Sequence, residues 1–442
     1  MKMEPLPVCS HEWFVGIDWA TQKHRVHVMK SDRKKVAERD AEHSGEGIAE
    51  FLDWLDKLCS GQVEKVAIAI ETPRGPIVES LMERGYAVYS LNPKQLDRFR
   101  DRHTVAGAKD DSRDALVLAD SLRTDRHSFH RVDPSTAWMI RLRELSRTEE
   151  ELVALRTQSC NRLREQLHRY FTQILELSPN ANDPWVWELL EAASLPAKAA
   201  KLKAEAVTRI LKRNRIRKWT GSEVVEILGK PSVRVADGAA EAASEHVLLL
   251  IKQLQLVAGQ RADVAARSKA LLDQSLPEAG EKDAPERTQQ HRDAAIVLSL
   301  PGVGRINGAT ILSEAGKAIA DRDYDALRAY CGIAPVTRQS GKAKSVSMRR
   351  GCSHRLRNAC HHWGMVSIQR DPRSKSHYKR LRERGASHGQ ALRCVVDRLL
   401  LVMVQMLKTG TSFDSARWNK TAPPAGGDAA PQTIAAKLTM AG

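Results

Sequence analysis

An α/β domain followed by a long, mainly helical region is the fold class that this 442-residue sequence predicts. Three observations carry it. Over the first 125 residues, short apolar β-branched runs alternate with helix-type runs. From Trp138 onward the apolar residues fall at helical intervals instead. A second stretch of the same kind occupies residues 241–272.

The strand-like runs are Trp13–Asp18, Arg25–Met29, a weaker one near Lys34–Glu38, then Val66–Ile70 and Tyr86–Leu91. The helical runs are Gly47–Leu58, Ile77–Arg84 and Asp111–Leu122, opening after turn residues such as Ser44-Gly45 and Pro73-Arg74-Gly75-Pro76. The order is three strands, helix, strand, helix, strand, helix. Beyond it, Leu142, Leu145, Leu152, Leu155, Leu163, Leu167, Phe171 and Ile174 follow at gaps of 3, 7, 3, 8, 4, 4 and 3. With Val247, Leu250, Ile251, Leu254, Val257 and Val264 they predict two long amphipathic helices. These flank a smaller helical insert at about 185–230. The pair reads either as an antiparallel coiled-coil arm that dimerises or as a solvated spacer. Residues 277–291, rich in Pro, Glu, Gln and Lys, predict a linker. The expected domains are 12–130, 138–275 and 293–408, with a low-complexity, disordered tail over 420–442.

Composition narrows the partners. Lys and Arg number 70 against 54 acids, a net charge of +16 with pI near 9.6, and polyanions are the commonest partners of such a surplus. No apolar run approaches the roughly 20 residues of a spanning helix, so no membrane partner is expected. The longest, Leu399–Val404, is bounded by Asp397, Arg398 and Gln405. Met1-Lys2-Met3-Glu4-Pro5-Leu6-Pro7 carries no signal-peptide core, and seven cysteines without CxxC spacing fit a reducing compartment. The expectation is a cytoplasmic chain.

The chemistry concentrates in acids. Asp18 ends the first strand run and Glu71 the fourth, whereas Asp111 and Asp114 share a helix face by their i, i+3 spacing. Carboxylates at strand ends are exposed enough to react yet held by rigid elements. Crowded together they repel unless a cation neutralises them, and hard oxygen donors select Mg²⁺ or Mn²⁺. Two such ions about 3.5–4 Å apart are standard machinery for cutting phosphodiesters.

The C-terminal region supplies cations. Leu300-Pro301-Gly302-Val303-Gly304-Arg305 resembles the turn of a helix-hairpin-helix unit, whose amides hold a phosphate, although a plain helix connector reads the same way. Ser340 lies between Arg338 and Lys342 in a polar, turn-rich stretch. From Arg338 to Arg384 there are fourteen Lys or Arg and only two acids, Asp371 and Glu383. A serine hydroxyl attacks phosphorus only when activated and surrounded by charge of that sign. Gly302, Gly304, Arg338, Lys342, Lys344, Arg349, Arg350 and Arg355 are the expected nucleic-acid contacts. Cys352, His354, Cys360, His361 and His362 are zinc-type residues without knuckle spacing, and they read as helix-face residues.

The strand and helix order, with acids ending strands one and four and on the last helix, resembles the RNase H-like fold of the RuvC type. The full set is Gly16-Ile17-Asp18, Glu71-Thr72-Pro73, Lys109-Asp110-Asp111 with Asp114, a coiled-coil middle, Pro301-Gly302-Val303-Gly304, and Gly332-Ile333-Ala334-Pro335 leading to Ser340-Gly341-Lys342. Together these resemble the bridge-RNA-guided DEDD transposases of bacterial insertion sequences, the insertion sequence 110 family, over residues 12–175 and 293–408. The resemblance implies Asp18, Glu71, Asp111 and Asp114 as a metal-binding tetrad and Ser340 as a nucleophile forming a phosphoserine link to DNA. It also implies duplex DNA and a structured guide RNA as partners. Family members assemble as tetramers whose active sites combine the acidic domain of one subunit with the serine module of another. Asp110 departs from the family pattern, which has a neutral residue there. Ser345 and Ser347 lie close enough to leave the choice of serine open. The basic run Lys212-Arg213-Asn214-Arg215-Ile216-Arg217-Lys218 either holds guide RNA or is a solvated face. Two other readings of the chain are a Holliday-junction endonuclease, with water as nucleophile, and a non-catalytic nucleic-acid-binding scaffold.

Overall fold

The computed structural model describes residues 11–91, 93–100, 102, 111–132, 136–276, 288–340 and 343–420. They fall into two compact units divided between residues 135 and 136.

The first unit is built on a mixed sheet. Strands β1 (Trp13–Asp18), β2 (Lys23–Lys30) and β3 (Lys35–Glu42) form an antiparallel meander, followed by helix α1 (Gly45–Leu58). Then come β4 (Val66–Ile70), α2 (Pro76–Glu83), β5 (Ala87–Ser90), α3 (Pro93–Arg100), α4 (Asp111–Asp125) and β6 (His130–Arg131). The sheet order is β3-β2-β1-β4-β5-β6, with β4 parallel to both β1 and β5. β4, Val-Ala-Ile-Ala-Ile, is buried along its whole length, as a central strand covered on both faces must be.

The period of two along β1 and β4 divides their buried residues between the two faces, with Phe14 and the small residues on the α4 side. Val15, Ile17, Ile68 and Ile70 point to one side, where Phe51, Leu52 and Leu55 of α1 and Ile77 and Leu81 of α2 complete a core. Gly16, Ala67 and Ala69 point to the other, where α4 lies with Leu118, Ala119 and Leu122 buried. Bulky residues hold α1 and α2 off the sheet, while small ones let α4 come down onto it. Helix α1 starts where Ser44 accepts a hydrogen bond from the Gly47 amide at 3.0 Å.

Strand runs Trp13–Asp18 and Val66–Ile70 have the bounds read from the sequence. β3 extends to Glu42, because an edge strand is largely exposed and its alternation is polar. Two elements lie outside the sequence reading: α3, with Leu96 as its buried anchor, and the two-residue β6 paired to β5.

Among its described residues the second unit is helical apart from one hairpin. α5 (Ala137–Tyr170) and α11 (Ala239–Asp273) run antiparallel, since Trp138 Nε1 donates to the Leu271 carbonyl at 3.0 Å and Arg261 reaches Glu149 at 2.6 Å. Between them in sequence lie α6 (Ile174–Leu177), α7 (Pro184–Ala192), α8 (Pro196–Ala199), α9 (Ala204–Arg213) and α10 (Gly221–Leu228), the expected insert. Its core, including Trp185, Trp187, Leu190, Val207 and Val224, joins Leu163, Leu167 and Phe171 to Val247, Leu250 and Leu254. Leu155, expected on the buried stripe, is 45% exposed.

The remainder comprises α12 (Gln289–Ser299), α13 (Arg305–Glu314), α14 (Gly316–Ala320), α15 (Tyr324–Tyr330), hairpin β7 (Val336–Ser340) and β8 (Ala343–Ser347), α16 (His354–Arg370), α17 (Pro372–Glu383), α18 (His388–Thr409) and α19 (Ser415–Lys420). The apolar run Leu399–Val404 lies within α18, where Leu399, Leu400, Met403 and Val404 form core with Trp363 of α16 and Ile311 of α13. Among the described residues no helix is long and apolar enough to cross a membrane. The linker expectation needs one correction. Thr288 caps α12 through the His291 amide, so Gln289, Gln290 and His291 are helical; the remaining 277–287 lie outside the described residues. Most of the expected tail, residues 421–442, also lies outside them.

Candidate active site and nucleic-acid interface

Ile17 pairs with Ile70 where β1 and β4 run side by side. Asp18 and Glu71, the next residues, therefore emerge together at one edge of the sheet, both partly exposed. α4 is set beside them by Gly16. A Cβ at that position would lie 1.9 Å from the Ala115 carbonyl oxygen and 2.7 Å from the Ala119 nitrogen. The helix backbone thus rests directly on β1, and Asp114, one residue before Ala115, is carried to the acidic edge. A second tie is Arg25 Nε, which donates to Ser112 Oγ at 3.0 Å. Arg25 is the strand partner of Asp18, so the first turn of α4 is anchored at the level of that acid.

Gly16→Ala is accordingly predicted to cost about 1–3 kcal/mol, the usual scale of overpacking, because backbone rather than a flexible side chain blocks the new methyl. Thermal unfolding measures the loss, and an unchanged Tm would show that α4 can retreat freely.

Asp114 is only 3% exposed. Arg100, the last residue of α3, closes on it with Nε and Nη2 each 2.6 Å from one of the carboxylate oxygens. Burial works against the Arg100 charge, but Asp114 and Asp97 hold its pKa above the ordinary value. The backbone of Asp111 opens α4, while its side chain, like all of Asp110, lies outside the described residues. Among the described residues no three His, Cys, Asp or Glu are gathered closely enough to hold a metal. What Asp18, Glu71 and Asp114 can offer is carboxylate oxygen alone, a hard donor set.

Behind the same edge, the turn after Asp18 is held by a histidine pair. Fully buried His24 accepts from the Ala20 amide through Nδ1 at 3.3 Å, which leaves its proton on Nε2, 2.9 Å from His43 Nδ1. Burial first, then His43, lowers the His24 pKa. Gly16, Arg25, Arg100 and His24 were not singled out as site residues. Of these only Gly16 leaves a sequence signal, as the small residue inside an otherwise bulky strand.

In the second unit, Ser340 is the last residue of β7, paired with Ala343, and is exposed. Directly paired residues of a hairpin share a face, so Ser340, Arg338 and Val336 lie on the same side as Ser345 and Ser347. A cavity of about 590 Å³ opens on that side, lined by Val336, Arg338, Ser347, Met348, Arg350 and Gly351. Arg338 and Arg350 are exposed there, and Arg349 is steadied by a 3.3 Å bond from Nε to the Ala334 carbonyl. Lys342 and the side chain of Lys344 lie outside the described residues.

Arg355 differs from expectation. Its guanidinium is 19% exposed and is tied to Glu314, Glu150 and Ser146, binding α16 to α13 and α5. Gly302 also has an internal reason: φ is +81°, and a Cβ would lie 2.8 Å from the Ser367 amide nitrogen. The Pro301 carbonyl accepts from Trp363 Nε1 at 2.9 Å and Ser367 Oγ at 2.8 Å, so this turn is seated on α16. Gly304 opens α13 with open space around it. Of the zinc-type residues, Cys360 is fully buried in the helix core while His361 and His362 project from α16. Burial among Arg398, Arg380, Arg373 and Arg384 pushes His377 down to about 4, which reflects the cationic character of this region.

A mixed sheet with acids at two neighbouring parallel strand ends, in a chain that also carries a cationic helical unit, suits a protein that handles nucleic acid. Comparison with known proteins makes the class particular. Residues 15–172 match the DEDD transposase domain of IS110 elements, and residues 294–379 match the transposase family IS116/IS110/IS902. The chain belongs to the IS110 family of insertion-sequence transposases. It is 31% identical over 416 residues to the "Mini-circle putative transposase for IS117" of Streptomyces coelicolor, covering 91% of this chain and 96% of that one. It is 47% identical over 208 residues to "Putative transposase y4uE" of Sinorhizobium fredii, 47% of this chain, and spans 58% of that relative's length. A 28% identity over 414 residues links it to the 42 kDa protein of insertion element IS900 from Mycobacterium paratuberculosis, 91% of this chain and 97% of that one.

Proposed function

We propose that this transposase cuts and rejoins DNA through a phosphoserine intermediate on Ser340, with a divalent metal held by Asp18, Glu71, Asp111 and Asp114 in a RuvC-like domain. The observation that carries the reading is the acidic edge: Asp18 and Glu71 side by side on parallel strands, with α4 pressed against β1 through Gly16. The strand order, with its antiparallel meander and parallel β1-β4-β5 core, supports the RNase H-like reading.

The donor chemistry of these residues fits Mg²⁺ or Mn²⁺, although the described acids do not by themselves close around one ion. Their donors are all carboxylate oxygens, and the site already accepts a cation, the Arg100 guanidinium on Asp114. Bound there, the metal would supply Lewis-acid polarisation of the scissile phosphate. The chain's own groups do the rest. Ser340 Oγ loses its proton and attacks phosphorus, a bond forms between them, and the bond to the 3′-oxygen breaks to leave a 3′-hydroxyl. A second strand's 3′-hydroxyl then attacks the phosphoserine, restoring a phosphodiester and the serine. One phosphodiester is exchanged for another, so no nucleotide hydrolysis is required. Arg338, on the same face as Ser340, and Arg350 in the adjoining cavity offset the phosphate charge.

The partners are duplex DNA and a structured guide RNA. The insert supports the latter with Lys212, Arg213, Arg215, Arg217 and Lys218, all exposed at the end of α9 and the turn after it. Assembly as a dimer or tetramer is supported by exposed apolar residues on the long helix pair. Val153, Leu155 and Leu256 are 40%, 45% and 63% exposed and lie at one height, as the Glu149–Arg261 and Trp138–Leu271 pairings require. A coiled-coil arm meeting a second copy would cover them.

Denaturing electrophoresis after incubation with Mg²⁺, co-purified RNA and a plasmid carrying the gene with its flanking DNA tests the reaction. A protein–DNA adduct is expected. Free nicks without adduct would mean water attacks, as in a junction nuclease, and intact DNA would leave a binding scaffold. Arg338→Ala with Arg350→Ala is predicted to weaken duplex binding and to flatten its salt dependence by about 0.9 in log K against log salt per lost phosphate contact. An unchanged slope would place the DNA elsewhere.

A further inference from the structure

We propose that Arg100 is a place-holding cation for the acidic site, occupying the Asp114 carboxylate until a divalent metal displaces it. The inference rests on the reading of the tetrad as a metal site and adds a positioning residue to it. Asp114 is almost fully buried, and a buried carboxylate without a counter-charge is costly. Arg100 meets that need with a two-pronged grip, an N–H on each oxygen at 2.6 Å. In this grip neither oxygen is free of a cationic donor. A divalent ion on the same carboxylate would sit against the guanidinium, and two cations at about 4 Å repel strongly in a partly buried site. Metal and guanidinium therefore compete.

Arg100 also has somewhere to go. Its Nη1 is 2.7 Å from Asp97 Oδ1, on the preceding turn of α3, and Asp97 is 66% exposed while Arg100 is 28% exposed. Swinging outward, the guanidinium keeps an ion pair at the surface while it surrenders the buried one. The site thus has two satisfied states, one closed by Arg100 on Asp114 and one open with Arg100 on Asp97. The cost of opening lowers the apparent metal affinity by the fraction of molecules that are open. Metal binding in turn favours the open state, since the coupling is reciprocal.

Mn²⁺ titration of the full chain, read by electron paramagnetic resonance and calorimetry without DNA, tests this with four proteins. Arg100→Gln should bind Mn²⁺ roughly 10-fold more tightly than the unaltered protein, the scale on which outer partners of metal ligands alter affinity. Arg100→Lys, a point charge without the fork, should fall between them. Glu71→Gln should bind weakly or not at all. Thermal unfolding without metal accompanies each, because Arg100→Gln leaves Asp114 unpaired and should lower Tm. A purely structural Arg100 would lower Tm without tightening Mn²⁺ binding. Equal or weaker binding by Arg100→Gln, with Glu71→Gln still deficient, overturns the place-holder and leaves the metal site standing. If Arg100→Gln does not fold, Arg100→Lys decides, and an affinity equal to that of the unaltered protein overturns the proposal. No Mn²⁺ binding by any of the four removes the metal reading and the place-holder with it.

Discussion

Ser340→Ala is expected to eliminate the covalent protein–DNA adduct while DNA and RNA binding persist. The change removes one exposed hydroxyl and almost no contact area, so neither folding nor affinity has reason to fall. The hairpin register makes the companion variants informative. Ser345 stands opposite Arg338 and Ser347 opposite Val336, on the same face as Ser340. With about 3.3 Å of rise per residue, they lie roughly 7 and 13 Å farther down the hairpin. A phosphorus in line with Ser340 Oγ is out of reach of Ser347 and poorly placed for Ser345, so Ser345→Ala and Ser347→Ala should be mild. Adduct surviving in Ser340→Ala but vanishing in a neighbour would move the nucleophile. Ser340→Cys should keep at most a trace, since a thiolate can attack phosphorus but is a poor partner for a hard metal.

Glu71→Gln should reduce strand cleavage by roughly 1,000-fold or more, with DNA affinity unchanged or slightly higher. The amide keeps the size of the side chain but removes the charged oxygen that the proposed metal would bind. Lewis-acid stabilisation worth several kcal/mol corresponds to a loss on that scale. Affinity should not fall, because an acid beside bound phosphates repels them once the metal is gone. Asp18→Asn should behave alike, since the two acids leave adjacent strands at the same level. Cleavage and gel shift on one preparation check both quantities, and retained cleavage in either variant would dismiss the tetrad.

The sequence signals that located these residues differ in strength for physical reasons. β1 and β4 were legible to the residue because buried central strands are continuous apolar runs with sharp ends, and the acids mark those ends. The long helices were legible because their buried stripes repeat over many turns, with Leu142, Leu163 and Leu167 fully covered. β3 was only faint because an edge strand has little to bury, and β6 is too short to show a period. Arg355 shows why a basic run is a weak signal, since the run looks alike whether its cations face solvent or, as here, pair with Glu314 and Glu150.

By itself the sequence determined the α/β-then-helical order, the positions of the acids along the chain, the cationic module around Ser340 and the motifs that mark the IS110 family. These are local properties, written in periodicity, turn residues and charge within a few tens of residues. Only the tertiary structure decided that Asp18 and Glu71 are neighbours, because sheet order β2-β1-β4 is a choice of partner that no strand states alone. It alone showed that Gly16 sets the height of α4 and that Arg100 grips Asp114. Those contacts join residues dozens of positions apart or on separate elements. They are fixed by side-chain volume and charge pairing once the sheet has formed, and a one-dimensional pattern carries no record of them.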